Sequence, residues 1–405
     1  MKAGWSIKPL AHLCEAFADG DWVESKDQSP EGIRLVQTGN VGEGVFKDRS
    51  EKARYISEET FKRLRCTEIF EGDCLISRLP DPVGRSAIIP SVGERMITAV
   101  DCTIVRFDKS QYLPTFFNFY SQSNDYLSTI AKECTGTTRS RISRNNLGLT
   151  PIPVPPLPEQ HRIVAILDEA FAGIATAKAN AEKNLQNARA LFESHLQKVF
   201  TERGEGWVET TLGEATEGVF TGPFGSLLHK RDYVENGIPL VNPAHITEVG
   251  VLPDFRKTVS KETAHRLTNY IMREGDIVIG RRGEMGRCAL VTDIEDGWLC
   301  GTGSFFIKPS SRCDTSYLVR FLRSSSCKEQ LENIAGGAVM PNLSNTDLSN
   351  LQFDLPPIGR QKAIVIGIEA LHAQTQHLES LYQKKLTALD ALKKSLLHQA
   401  FSGAL

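Results

Sequence analysis

Arg281-Arg282-Gly283-Glu284-Met285-Gly286-Arg287 puts three guanidinium groups into seven residues, between the aliphatic runs Asp276-Ile-Val-Ile and Ala289-Leu-Val. Two short strands with a Gly-rich link read as a hairpin, and the arginines then sit at its tip. A guanidinium is a planar fork of donors that fits the paired acceptors of a guanine edge or a phosphate. Such a segment offers recognition rather than turnover. Arg78-Leu79-Pro80-Asp81-Pro82-Val83-Gly84-Arg85 occupies the same place between Cys74-Leu-Ile-Ser and Ala87-Ile-Ile. Arg78 matches Arg281 and Arg85 matches Arg287. These shared arginines are expected to grip a phosphate backbone, and the differing tips, Arg282 included, to read bases.

A second candidate is Thr135-Gly136-Thr137-Thr138-Arg139-Ser140-Arg141-Ile142-Ser143-Arg144-Asn145-Asn146. Thr138, Arg139, Arg141 and Arg144 supply hydroxyl and cationic donors. The matching stretch, Gly336-Gly337-Ala338-Val339-Met340-Pro341-Asn342, has no basic residue, so the two places should read different sequences. Weaker candidates are Gln37-Thr38-Gly39-Asn40 with Asn242-Pro243-Ala244-His245, and Gly222-Pro223-Phe224-Gly225-Ser226 through Lys230-Arg231. The competing reading is a solvated surface, with arginines paired to acids such as Glu284.

Catalytic signatures are missing. Gly301-Thr-Gly-Ser lacks the Lys-Ser/Thr of a phosphate-binding loop, and Arg282-Gly283-Glu-Met-Gly286 is not a dinucleotide fingerprint. Asn242-Pro243-Ala244-His245 lacks the second proline and the aromatic residue of an adenine methyltransferase motif. The nine histidines are dispersed, and the nine cysteines contain no CxxC pair or zinc spacing. The expectation is no catalytic residue, no cofactor and no metal. The cysteines read as small buried hydrophobes in a reducing compartment.

The elements that must carry these segments come from an internal repeat. Residues 155–200 align without a gap on 356–401 at an offset of 201. Pro155/Pro356, Gln160/Gln361, Ile163/Ile364, Val164/Val365, Leu196/Leu397 and Phe200/Phe401 coincide. Upstream, Glu71-Gly72-Asp73 matches Glu274-Gly275-Asp276, and Gly84-Arg85 matches Gly286-Arg287; each half opens on Gly-Trp, at Trp5 and Trp207. From 159 to 203 the only helix breaker is Gly173, and 368–402 holds neither Gly nor Pro. Pro158 suits a helix start, and Gly204 and Gly403 suit the stops.

The apolar stripe runs Ile163, Ile166/Leu167, Ala170, Ile174, Ala177, Ala181, Leu185, Ala188 in the first helix. In the second it runs Leu371, Leu378, Tyr382, Leu389, Leu392, Leu396, with Thr375 and Lys385 interrupting. Steps of three, four and seven mark helices that pack together. Two such helices in one chain can cover each other, and connectivity favours an antiparallel arrangement with a pseudo-two-fold repeat. Strand-like runs with Gly/Pro punctuation precede each helix, with further helices expected over 114–131 and 315–334. The fold class is therefore α+β. Two mixed, mostly β domains, 1–153 and 205–354, are joined by long helices at 154–204 and 355–405 packed as an antiparallel coiled coil.

The 405-residue length suits this architecture. No stretch approaches a membrane helix, and residues 1–11 lack a secretory signature, so a cytoplasmic location is expected. The net charge of −2 means that any electropositive footprint is local, or is supplied in part by a partner.

Val154-Pro-Pro-Leu-Pro-Glu-Gln-His-Arg-Ile-Val and Leu355-Pro-Pro-Ile-Gly-Arg-Gln-Lys-Ala-Ile-Val, each closing one half, resemble the conserved helix starts of the specificity subunit of type I restriction–modification systems. The EGD-x-hydrophobic-x-x-R and GR-x-A segments resemble that family's target-recognition domains, so the resemblance spans essentially the whole chain. The second copy departs from the pattern at Gly359-Arg360, where Pro-Glu is replaced. The resemblance implies a non-catalytic subunit that reads a bipartite target on double-stranded DNA, one half per domain. It implies that the helices set the unread gap and dock two methyltransferase subunits, and that a restriction-translocase subunit can join. Gln160, Ile163, Leu167, Gln361, Ile364 and Ile368 are the positions it offers for partner contact. Two rivals stand beside it. An adaptor whose domains bind protein predicts no electropositive face, and an enzyme lacks any carboxylate or cofactor constellation here.

Overall fold

The computed structural model describes residues 4–136, 140–335 and 342–405. The chain forms two units, Met1–Lys183 with Gln383–Leu405, and Asn184–Tyr382, so both long helices contribute to each.

In the first unit a four-stranded antiparallel sheet has the order Cys14–Asp19, Cys102–Phe107, Cys74–Ser77, Ser86–Ile88. The run Cys74–Ser77 is apolar at successive positions because both faces of the sheet are covered. Cys74 and Ile76 belong to the core shared with the helices, whereas Leu75 faces a second core under the neighbouring sheet. That neighbour has the order Tyr55–Ile56, Ile33–Val36, Met96–Thr98, Glu68–Ile69, with one parallel pair between Ile33–Val36 and Met96–Thr98. Ser6–Pro9 pairs with Pro151–Val154 and closes the domain at the helix start.

The second unit has the same plan. Its antiparallel sheet runs Thr216–Thr221, Ser304–Pro309, Ile277–Gly280, Cys288–Leu290. Its second sheet runs Tyr233–Val234, Thr258–Val259, Ile238–Val241, Leu299–Cys300, again with one parallel pair. Ile277 and Ile279 point into the helix-side core and Val278 into the other.

The single helices expected over 114–131 and 315–334 are each two. Pro114–Tyr120 precedes Asn124–Lys132, and Thr315–Arg323 precedes Ser325–Ile334. The breaks fall at Ser123 and Ser324, whose hydroxyls accept from the Tyr126 and Cys327 amides. A serine that satisfies an amide two or three residues on starts a helix rather than continuing one.

The long helices are Leu157–Thr201 and Ile358–Ser402, 45 residues each, or roughly 66 Å. A buried glutamine brackets each start. Gln160 Oε1 accepts from the Leu113 amide at 2.8 Å, while its Nε2 donates to the Gln111 and Pro155 carbonyls at 3.0 and 2.8 Å. Gln361 does the same with the Asp314 amide and the Arg312 and Pro356 carbonyls, at 2.7, 2.8 and 2.8 Å. Every partner is displaced by the repeat offset. Gln160 and Gln361 are fully buried, and Ile163, Leu167, Ile364 and Ile368 lie in the cores of their own units. The expectation that these six meet partner subunits is therefore corrected: they fasten each domain to its helix.

The far ends repeat as well. The Phe401 ring lies 5.3 and 5.1 Å from those of Phe116 and Tyr120. Phe200 meets Tyr317 and Phe321, the positions 201 residues on, at 5.6 and 6.0 Å. Within the first unit, Lys178 pairs with Asp390 and Arg162 reaches the Leu405 carbonyl. Within the second, Arg189 pairs with Glu379.

The covered positions of the first helix include Leu167, Ile174, Ala181 and Ala188, as the stripe requires. In the second helix they include Gln361, Ile364, Ile368, Thr375, Leu397 and Ala400, with Tyr382, Leu389 and Leu396 partly covered. Leu378 and Leu392 are 40% and 46% exposed, which removes them from the expected stripe. Thr375 does not interrupt it, because its hydroxyl donates to the Leu371 carbonyl and leaves the methyl to pack.

All nine cysteines are unpaired and seven are buried; burial pushes the Cys74 and Cys102 thiols up to about 12. Among the described residues no helix is long and apolar enough to cross a membrane.

Candidate nucleic-acid interface

In the second unit the hairpin of Ile277–Gly280 and Cys288–Leu290 carries Arg281–Arg287 at its tip, as expected. Gly286 has φ +72°, and an added Cβ there would stand 2.6 Å from the Leu322 carbonyl oxygen, so the return into the strand requires glycine. Three other segments converge on the tip. The Arg281 amide donates to the Gly303 carbonyl, and the Leu343 amide donates to the Arg281 carbonyl. Asn242 Oδ1 accepts from the Gly303 amide. Asn342 Oδ1 accepts from Nε of both Arg281 and Arg282, at 3.3 and 3.2 Å. The Arg281 guanidinium also lies 5.2 Å from the Phe305 ring centroid, and burial lowers its pKa, with the neighbouring Arg282 charge adding to the effect.

One asparagine thus aligns two adjacent arginines by their Nε atoms, which leaves their terminal amino groups out of this contact. Arg282 and Asn342 are exposed. This is the arrangement that a bidentate contact to a paired acceptor needs.

The first unit brings the corresponding segments together. The Arg78 amide donates to the Asp101 carbonyl, and the Ile142 amide donates to the Arg78 carbonyl. The hairpin tip and the described residues 140–146, separate in sequence, therefore meet. Arg141 and Arg144 are exposed there, paired with Asp101 at 3.0 Å and Asp19 at 3.9 Å. Thr138 and Arg139 lie outside the described residues, as does 336–341 of the matching stretch.

Arg78 and Arg85 contradict the expectation of phosphate grips. Arg85 is 8% exposed, and its guanidinium donates to the carbonyls of Val41, Leu79, Pro82 and Thr38 at 2.7, 2.7, 3.0 and 2.9 Å. Arg78 is buried against the Val100 carbonyl and Asp19, with its Nε unpartnered among the described atoms. Burial lowers both pKa values. Each guanidinium is enclosed by its own loops, and Arg85 pins the segment Gln37–Asn40 beside the tip. Arg287 is intermediate: it pairs with Glu284 at 2.6 Å and reaches the Pro243 carbonyl at 3.5 Å.

The two weaker candidates divide. Gln37/Asn40 and Asn242/His245 are each closed into a capped turn by the fourth residue's side chain, which accepts from the first residue's amide. Lys230 and Arg231 are exposed on the short helix Lys230–Asp232.

Two features escaped the sequence reading. Arg49 lies over Gly39, where an added Cβ would meet its guanidinium at 2.6 Å. Short hairpins bridged at Val41/Phe46 and Ile246/Val251 stand at equivalent places, with Val45 and Val249 exposed at their tips. The repeated Val-Gly-Glu and Ile-Thr-Glu stretches were the available signal. Among the described residues no group of three or more His, Cys, Asp or Glu is placed to hold a metal ion.

Comparison with known proteins gives concordant results. The family model described as type I restriction modification DNA specificity domain matches twice, over residues 2–186 and 205–388. The EcoBI specificity subunit of Escherichia coli is 24% identical over 309 residues; the match covers 71% of this chain and 65% of that subunit, a little under two thirds of its length. The putative MjaX specificity subunit of Methanocaldococcus jannaschii is 24% identical over 421 residues, covering 98% of this chain and 93% of that one. The crystal structure of the HsdS subunit from Thermoanaerobacter tengcongensis superposes with a TM-score of 0.66 at 19% identity, covering 100% of this chain and 98% of that one, a likeness of fold.

Proposed function

Starting from a chain that belongs to the type I restriction–modification DNA specificity family, matched once in each half, we propose that it reads a two-part DNA target for a modification complex. Each unit reads one half-site. The observation that carries this is the convergence, at equivalent places in both units, of the hairpin tip with the segment around Arg141 or Asn342. In the second unit Arg282 and Asn342 are reading residues, and Arg281, expected from its match to Arg78 to grip the backbone, joins them because it shares the Asn342 acceptor; Lys230 and Arg231 support them along the backbone. In the first, exposed Arg141 and Arg144, with Thr138 and Arg139 beside them in sequence, take that role. Arg287 contributes a phosphate contact once Glu284 is displaced.

The remaining parts follow from the family. The long helices pair as an antiparallel coiled coil, so the repeat becomes a pseudo-two-fold arrangement. The pair sets the unread gap and docks two methyltransferase subunits, with which a restriction-translocase subunit can assemble. The chain itself supplies no catalytic residue and works in the cytoplasm. The domain limits of this reading are 1–153, 154–204, 205–354 and 355–405.

The test is to co-express the chain with the methyltransferase subunit and map methylated bases across a host genome. One two-part motif with an unspecified gap, modified in each half, is the expected result. Methylation without a motif, or none beside an active partner, favours the adaptor. DNA affinity that falls with salt at a slope near −0.9 per neutralised phosphate separates the same two readings in vitro.

The ruler has its own test. Removing 181–187 and 380–386 together keeps the seven-residue phase of both helices and shortens each by roughly 10 Å. The unread gap must then change, or specific binding must fail. Unimpaired binding at the original gap refutes the ruler.

A further inference from the structure

Among the described residues each unit holds one ion pair between the long helices, and the two pairs are the same repeat positions with their charges exchanged. In the first unit Lys178 of the first helix meets Asp390 of the second. In the second unit Arg189 of the first helix meets Glu379 of the second at 2.7 Å. Advancing by 201 carries Lys178 onto Glu379 and Arg189 onto Asp390. The adjacent contacts exchange in the same way. Lys393 lies 4.9 Å from the Phe171 ring centroid, and His372 lies 5.1 Å from that of Phe192. Here the repeat relates Phe171 to His372 and Phe192 to Lys393.

Two helices descended from one repeat need not have diverged at these positions in complementary directions. The consequence shows when each helix is set against a copy of itself in the same antiparallel register. First helix against first helix places Lys178 opposite the copy's Arg189, twice. Second against second places Glu379 opposite Asp390 and His372 opposite Lys393. Both like pairings set equal charges together where the native pairing sets opposite ones. Charges flanking a helix seam choose partner and orientation in this way.

We propose that these positions form a pairing code: the first helix accepts only the second, so the chain closes on itself and refuses a second copy through like helices. This goes beyond the DNA reading and does not depend on which bases are recognised. Exposed ion pairs are individually weak, but two contacts passing together from attraction to repulsion shift a partition by about tenfold.

The code can be erased without losing an internal ion pair. R189E/E379K reverses one pair, so both native contacts still join opposite charges, while like-helix pairings become attractive. K178E/D390K does the same at the other pair and serves if the first variant does not fold. Reversing all four residues restores like-charge repulsion. The full-length variants are refolded from urea at high protein concentration, and dimer fraction is read by light scattering after size exclusion. Expected is a wild-type monomer, about tenfold more dimer for either two-residue exchange, and a return to monomer for the four-residue reversal. Equal dimer fractions in wild type and both exchanges overturn the code. So does a four-residue reversal that dimerises as much as the exchanges, since general destabilisation then explains the effect.

Discussion

Replacing Arg281 and Arg282 together by alanine will weaken binding to the full target by about 10- to 100-fold and abolish base choice in one half-site only. A well-made bidentate contact discriminates by about 1–3 kcal/mol, and Asn342 holds both side chains by their Nε atoms so that their terminal amino groups can make one. Arg282→Ala alone should carry most of the loss of choice, because Arg281 is also held by the Phe305 ring. The measurement is selection from a library randomised in each half-site, with the modification complex as the binder. A uniform loss across all sequences would make both arginines phosphate contacts and would leave Asn342 as the assigned reader of the second unit.

Arg85→Met should destabilise the first unit by about 3 kcal/mol or more, because each buried acceptor left without a donor costs about 1–3 kcal/mol. Four carbonyls lose the Arg85 donor, though Thr38 keeps the Val41 amide and Leu79 the Ser77 hydroxyl, and the two on Val41 and Thr38 belong to the segment beside the hairpin tip. Arg287→Met in the second unit should cost less than about 1 kcal/mol, because its ion pair with Glu284 is half-exposed. Urea denaturation gives the size of each effect. Hydrogen exchange shows whether residues 37–46 open first in the Arg85 variant. Unchanged stability with uniformly weaker DNA binding would reinstate Arg85 as a phosphate grip.

The contrast between these two arginines shows where sequence reading ends. Both precede a strand after a positive-φ glycine, Gly84 or Gly286, and a hairpin arginine reads as surface. What buries Arg85 is a loop 40 or more residues earlier in the chain. No local period carries that information. The long helices were legible because their signal is local and sustained: the expected 159–203 is Leu157–Thr201 in the structure. Their covered face was less so. Of the expected stripe, Tyr382, Leu389 and Leu396 fall on the seven-residue row of the buried Gln361, Ile368 and Thr375, whereas Leu378 and Leu392 lie on another row and are exposed. Side-chain type favoured the leucines, and the phase was decided by Gln361, whose bracket fixes how the helix is rotated at its start. The hairpins and the meeting of the two cationic segments follow from strand pairing. The sequence could nominate each segment but not bring them together.

The glutamine brackets have a consequence for how such a chain can change. The side-chain hydrogen bonds of Gln160 and Gln361 go to main-chain atoms: one amide and two carbonyls each. The hydrogen-bonded part of the joint is therefore indifferent to side-chain identity, and the rest of it is apolar packing of Ile163, Leu167, Ile364 and Ile368. A domain that presents the same three backbone atoms at the same spacing, with an apolar surface for Ile163 and Leu167 or Ile364 and Ile368, meets the helix in the same way. New specificities are then acquired by exchanging whole parts at a standard coupling, while the loops that meet the ligand vary without loosening it.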